Sequence, residues 1–427
     1  MADPRQLAFR ALRNVLNDAS YSNLTLAGVL GSSDLSGADK SFITALVYGV
    51  LERKLTLDHN LSQYLTQPLK KLNPKAYVAL LLGAYQILYM EKVPSHAAIN
   101  ESVRLVKQNG AAFAAGLCNA VLRKVDQNGL VLPAEDAENY DSVRFSVPQP
   151  LLDLWYDAYG KETTRAFLEA SFGPRPLTVR VNTTKTTADE LIERLRTEGV
   201  TAAPHPHADD ALVLTDAGSL EQLDSFREGL FHVQDAASQL CCANLAPEPG
   251  DVVFDLCAAP GGKSCTLAER MGDEGIVRAF DLHENRVGLI RQNAERLGLG
   301  CIVPEARDAT EFSAELGLAD RVLCDVPCAG YGDLGRKPEV RYRDPALVDN
   351  LSALQYDILN NGERYLKPGG RLVYSTCSLT RTENEDVARR FLAEHPDMTL
   401  LFEKTYFPQD YECDGFYNAV FTKEQGR

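Results

Sequence analysis

The chain has 427 residues, 45% of them hydrophobic and 24% charged, which excludes a disordered protein and, at roughly 150 residues per domain, points to two or three domains. A formal net charge of −15 argues against a surface that is basic throughout, so any contact with nucleic acid has to come from a local patch. Ten cysteines are too sparse in so long a chain for a disulfide scaffold, and without a C-x-x-C pair they suggest reduced thiols and no metal.

The first stretch, to about Val125, reads as helices. "MADPRQLAFRALRNVL" has no apolar signal core, so an ordinary first helix and a cytoplasmic protein are expected. Ser36 and Asp39 make a capping box ahead of Ile43, Leu46, Val47 and Val50, which keep to one helical face. Leu57, Leu61, Tyr64 and Leu65 form a second face, Ile99, Val103 and Val106 a third, and Leu117, Val121, Leu122 and Val125 a fourth. The apolar run from Ala76 to Met90 is shorter than the roughly 20 residues of a membrane span and contains Gln86, so it reads as a buried helix, and no membrane partner is expected. An all-helical bundle follows. His96 falls at a helix start and is read as structural.

Residues 128–150 are rich in proline and acid, and their first half reads as a linker. Beyond it, Leu177 to Asn182 alternates as a strand, Thr187 and Glu190 box the start of a helix that stops at Gly199, and "ALVL" and "GLFHVQ" are further strands. A small α+β module is expected, with His205 and His207 of "PHPH" in an exposed loop.

From about Asp235 apolar strands and helices alternate, which predicts a mostly parallel sheet with helices on both faces and ligands beyond the carboxyl ends of its strands. "DLCAAPGGKS" (Asp255 to Ser264) leaves a strand and enters a helix through Gly261 and Gly262, whose backbone N–H groups can approach a ligand closely. The same turn, which is neither G-x-G-x-x-G nor a Walker A loop, also serves as a plain tight connection. Asp281 ends the next strand about 20 residues later, where an acid grips ribose hydroxyls. Asp308 follows the third strand, within reach of an adenine amine, and Asp325 ends the fourth. Acids at successive strand ends point to a nucleoside cofactor, and the missing dinucleotide fingerprint favours S-adenosylmethionine over NAD.

Two strands run out into thiols: Cys328 in "LCDVPCAGYG" and Cys377 in "GRLVYSTCSLT". Methylation at C5 of a pyrimidine needs such a group, because C5 has no lone pair; a thiolate that adds to C6 makes C5 an enamine nucleophile, a base then removes the C5 proton, and the thiol leaves. Asp325 can hydrogen-bond the N3 and amino edge of cytosine and stabilise the charge that develops in the adduct. Spacing alone leaves open which cysteine attacks. Beside Cys328, Arg336, Lys337, Arg341 and Arg343 cluster in "LGRKPEVRYR" and are the candidate RNA contacts.

"DLCAAPGGK", "DVPCAGYG" and "YSTCS" resemble the motifs of the Nop2/Sun RNA cytosine-C5 methyltransferases. "LVYGVLERKLTLD", "LLLGAYQILYMEKVPSHAAINESVRLVK", "LCNAVLRKV", "FHVQDAAS" and "CDGFYNAVF" extend the resemblance along the whole chain to the Sun/Fmu/RsmB branch, which modifies 16S ribosomal RNA. The resemblance implies a multi-domain protein: an all-α NusB-like RNA-binding domain at 1–135, a small α+β RRM-like module at 140–234, and an α/β Rossmann-like S-adenosylmethionine-dependent methyltransferase domain at 235–427. It implies that Cys377 attacks C6 while Cys328 assists release of the product. It also implies that Cys257, Ala258, Ala259, Pro260, Gly261, Gly262, Lys263, Asp281, Asp308 and Asp325 contact S-adenosylmethionine, Asp325 meeting the base as well. The family commonly has D-A-P-C-S-G where this chain has Val326 and Ala329, so the loop loses one hydroxyl. A monomer that acts on small-subunit ribosomal RNA without a metal is expected. The alternatives are the same reaction on transfer RNA, a non-catalytic RNA-binding or antitermination factor, and a thiol redox protein.

Overall fold

The computed structural model describes residues 3–18, 22–31, 35–173 and 175–425. The chain folds as two units, Met1–Gly173 with Leu334–Arg343, and Pro174–Asp333 with Asp344–Arg427.

The first unit is helical, and its apolar faces are those the spacing predicts: Ile43, Leu46, Val47 and Val50 of the helix Gly37–Glu52 are buried, as are Leu57 and Leu61 of Lys54–Ser62. Ser36 caps the first of these by accepting from the Asp39 N–H at 3.1 Å. The helix Pro74–Tyr89 buries Val78 to Ala84 without a gap and forms the centre of the bundle. Two glycines let helices come close there: a Cβ on Gly49 would fall 2.0 Å from the Tyr85 ring, and one on Gly83 2.5 Å from Leu122. No helix among the described residues is long and apolar enough to cross a membrane.

The linker is pinned at one point, where Asn60 bonds the Val131 N–H at 2.8 Å and the Val131 carbonyl at 3.0 Å. The helices Tyr140–Phe145 and Gln149–Ala170 then join the helical unit, which runs to Gly173. Within the longer of these, Trp155 is fully buried with its ring edge-on to Phe167 at 5.1 Å, across a break in the helix at Gly160. The segment Leu334–Arg343 belongs to the same unit. Its Arg341 is fully buried, donates to the Phe145 carbonyl at 3.1 Å and to Ser171 Oγ at 2.6 Å, and lies over the Phe172 ring. This corrects the reading of Arg341 as an RNA contact, since a guanidinium enclosed by carbonyl and hydroxyl partners does not meet a phosphate. Arg336, Lys337 and Arg343 are half-buried.

The second unit holds two sheets. The smaller has strands β1 (Leu177–Val181), β2 (Thr201–Pro204), β3 (Ala211–Thr215) and β4 (Phe231–Val233) in the order β2-β3-β1-β4, all antiparallel. The helix Ala188–Thr197 starts with the predicted Thr187–Glu190 capping box. His205, expected in an exposed loop, is buried, with Nε2 3.4 Å from the Glu412 carbonyl; His207 is exposed.

The larger sheet comprises β5 (Val252–Asp255), β6 (Ile276–Asp281), β7 (Ile302–Ala306), β8 (Ala319–Asp325), β9 (Leu366–Thr376), β10 (Met398–Tyr406) and β11 (Phe416–Lys423). Its order is β10-β11-β9-β8-β5-β6-β7, with β5 to β9 parallel and β11 antiparallel to both neighbours. The strand order reverses at β5, which lies between β6 and β8, and such a switch point opens a crevice beyond the strand carboxyl ends. The small sheet is tied to this domain by a buried ion pair, Arg180 with Glu269 at 2.6 Å, and by Asn182, which donates to the Leu297 carbonyl at 2.9 Å.

Candidate active site

At the switch point β5 ends in Asp255 and the chain turns through Leu256 to Gly261 into the helix Gly262–Arg270. Gly261 has φ +104°, and a Cβ there would fall 3.1 Å from the Ile290 backbone, so the turn admits glycine. Asp255 is fully buried; burial pushes its carboxyl up to about 7, against the hydrogen bond it accepts from Ser264 Oγ at 2.6 Å. The Ala258 N–H bonds the Phe280 carbonyl of β6 at 2.7 Å, which holds the loop against the neighbouring strand end.

Asp281 and Asp308 both lie beside this loop. Asp281 is almost wholly buried and pairs with Arg286 at 3.0 Å, whose other nitrogen reaches the Ala259 carbonyl at 3.0 Å. Asp308 accepts from the Thr310 hydroxyl and N–H at 2.7 and 2.8 Å, and these bonds hold its carboxyl below the usual range. Leu256, Phe280, Asp308, Ala309 and Tyr365 line a shallow surface recess. An apolar recess with an acid at its rim, next to a loop that leaves no room for a Cβ, fits a nucleoside-bearing cofactor.

Lys263, which follows the glycine pair, turns its Nζ to Asp325 Oδ2 at 2.8 Å. Burial opposes its charge, but the adjacent Asp325 carboxylate prevails and holds the Lys263 pKa above its ordinary value. The other oxygen of Asp325 accepts from Ser375 Oγ of β9 at 2.8 Å. One carboxylate thus connects the glycine loop, β8 and β9.

Just past those two strands the Cys328 and Cys377 sulfurs lie 3.2 Å apart, not joined in a disulfide and partly exposed. Elsewhere in the fold, burial pushes the Cys241 thiol up to about 12 and raises that of Cys324 as well. Cys413 is buried in the apolar core.

Sequence reasoning missed what fixes the thiol loops. Gly332 donates to the Cys377 carbonyl at 2.9 Å and accepts from Gly415 N–H at 3.0 Å, and a Cβ on Gly332 would fall 1.8 Å from the Gly415 oxygen. Glu383, in the charged run "TRTENED", is fully buried and accepts from the Ala329 N–H at 2.7 Å and from Thr380 Oγ1 at 2.7 Å. The spacing Thr380-x-x-Glu383, that of a capping box, was the available signal.

Three family models match successive parts of the chain. A family model described as 16S rRNA methyltransferase RsmB/F matches residues 242–422, a NusB family model residues 2–127, and a Methyltr_RsmF/B-like ferredoxin-like domain residues 147–221. The chain is 38% identical over 401 residues to a probable ribosomal RNA small subunit methyltransferase B of Bacillus subtilis, covering 92% of this chain and 89% of that protein. It is 37% identical to a protein of the same description from Synechocystis, covering 99% of this chain and 100% of the relative. The crystal structure of PH0851 superposes with a TM-score of 0.84 at 25% identity over 99% of each chain.

Proposed function

The chain belongs to the RsmB/F family of 16S rRNA methyltransferases, and on that premise we propose that it methylates C5 of a cytosine in small-subunit ribosomal RNA through a covalent bond between Cys377 and C6. The cofactor of the family is S-adenosylmethionine. The observation that carries the reading is the 3.2 Å separation of the Cys328 and Cys377 sulfurs. A methyltransferase acting on an exocyclic amine has no use for two such thiols, whereas addition to C6 followed by elimination has a step for each.

In this reading Cys257 to Lys263, Asp281, Asp308 and Asp325 hold the cofactor. S-adenosylmethionine, when bound, supplies an electrophilic methyl group, which C5 accepts. Cys377 adds as a thiolate to C6 and makes C5 the nucleophile. Asp325, fixed by Lys263 and Ser375, accepts from the cytosine amino group and orients the ring for the attack on C6. After methylation a base takes the C5 proton, the C6–S bond breaks with its electron pair returning to the Cys377 sulfur, and Cys328 assists that release. Arg336, Lys337 and Arg343 remain the proposed RNA contacts, without Arg341. Val326 and Ala329 lie in the buried floor of the loop and change none of these roles.

The test is to incubate wild type, Cys328→Ala and Cys377→Ala with S-adenosylmethionine and unmodified small-subunit RNA. The expected result is a denaturant-stable protein–RNA adduct that accumulates in Cys328→Ala, and neither adduct nor 5-methylcytosine in Cys377→Ala. Methylation by Cys377→Ala would overturn the nucleophile, and methylation of transfer RNA alone would overturn the substrate.

A further inference from the structure

We propose that Glu383 is a positioning residue for this reaction, one buried carboxylate that sets the Cys328 loop against the Cys377 loop; the inference rests on the two-thiol reading above. Glu383 Oε1 accepts from the Ala329 N–H at 2.7 Å and from Gln355 Nε2 at 3.0 Å, and Oε2 accepts from Thr380 Oγ1 at 2.7 Å and from Ser378 Oγ. Ala329 follows Cys328 in sequence and Ser378 follows Cys377, so each oxygen holds one thiol loop. Gln355 extends the hold by donating to the carbonyl of Pro327, the residue before Cys328, at 2.9 Å.

The main chain of Glu383 is fixed as well. Tyr374 donates its hydroxyl hydrogen to the Glu383 carbonyl, and the adjacent Asn384 bonds Thr376 Oγ1 at 2.6 Å and the Ser378 carbonyl at 2.8 Å. The carboxylate therefore has no room to follow one loop away from the other. A carboxyl group in a site with 0% exposure needs its acceptor positions filled, and here four donors from three segments fill them. An apolar side chain would pack the same space, but it would not tell either loop where to stop. The Ala329 departure is consistent with this role, because the loop bonds Glu383 through its backbone N–H and needs no hydroxyl.

Two sulfurs 3.2 Å apart on different loops need both backbones located to a fraction of an ångström, a tolerance of about 0.5 Å for a working site. Glu383→Gln keeps the shape but presents an amide nitrogen to donors on one side. The loops separate, and a misplacement of about 1 Å costs roughly 100-fold in rate.

The experiment measures three quantities on wild type, Glu383→Gln and the milder Thr380→Val: S-adenosylmethionine affinity, adduct formation at saturating RNA, and the equilibrium between the Cys328–Cys377 dithiol and its disulfide in glutathione buffers. In the last, two protein thiols pass two electrons and two protons to one glutathione disulfide, which leaves as two glutathione thiols. Glu383→Gln is expected to bind cofactor within about twofold of wild type, to form adduct about 100-fold more slowly at saturating RNA, and to lower the dithiol–disulfide constant about tenfold. Thr380→Val should move the same two quantities in the same direction by a smaller factor, and it decides the matter if Glu383→Gln does not fold. Unchanged adduct rate and unchanged thiol equilibrium in a folded variant would overturn the proposal. If wild type forms no adduct at all, the two-thiol reaction fails, while the glutathione equilibrium still reports whether Glu383 sets the thiols.

Discussion

Gly332→Ala isolates the backbone contact that supports Cys377. The new Cβ would stand 1.8 Å from the Gly415 carbonyl oxygen and 2.9 Å from the Cys377 carbonyl oxygen, both main-chain atoms that cannot rotate aside. Moving the first contact out to 3.0 Å requires a shift of at least 1.2 Å in one of two adjoining loops. That shift breaks the bonds from Gly332 N–H to Cys377 O and from Gly415 N–H to Gly332 O, now 2.9 and 3.0 Å. Two hydrogen bonds at about 1 kcal/mol each, with overpacking of about 1–3 kcal/mol, give a loss of roughly 3–5 kcal/mol. If the loop yields instead of the fold, the cost appears as misplacement of Cys377 and a loss in rate of roughly 100-fold. Gly288→Ala is the control: it lies in the helix Glu284–Leu297 with nothing within 4 Å of its Cβ, and it should be neutral or stabilising by up to about 1 kcal/mol. Denaturant midpoints and single-turnover methylation on the three proteins decide it. A Gly332→Ala protein as stable and as active as Gly288→Ala would refute the reasoning.

Two further outcomes follow from groups the sequence could not rank. Burial raises the Asp255 carboxyl to about 7, so the folded state holds a proton that the unfolded chain has released; the resulting stability is full below about pH 3.8 and is lost as pH rises to about 7. The denaturant stability of wild type relative to Asp255→Asn should therefore fall by roughly 2–3 kcal/mol between pH 5 and pH 8, and parallel pH profiles would show that the carboxyl is not perturbed. Arg341→Met removes a guanidinium that serves the Phe145 carbonyl and Ser171, and should destabilise the protein by about 2–4 kcal/mol. RNA affinity of the folded variant should keep the salt slope of wild type, whereas losing a phosphate contact would lower that slope by about 1.

Patterns that repeat within a few residues were legible in the sequence. The helical faces through Val50 and Leu61, the Thr187–Glu190 box and the strands β5 to β9 all express local periods of 3.6 or 2, which a single chain displays without its neighbours. β10 and β11 were not assigned as strands, because β11 enters between β9 and β10 and its pairing depends on residues up to 51 positions away, as in Thr422 with Arg371. The basic cluster misled for a related reason. Charge density marked Arg336 to Arg343 as a patch, but burial is set by what packs around a segment, and the helical unit encloses Arg341.

The sequence by itself determined the chemistry available: a glycine turn, acids ending successive strands, and two cysteines, each legible because function constrains residue type at a fixed offset from a strand end. The tertiary structure alone decided how those parts meet. It turned Lys263 onto Asp325, brought two thiols that are 49 positions apart in the chain to 3.2 Å, and converted an ordinary-looking Glu383 into the buried acceptor between their loops. Distances of that kind arise from the register between β8 and β9 and from the exclusion of water around a carboxylate, and neither is written in the neighbours a residue has along the chain.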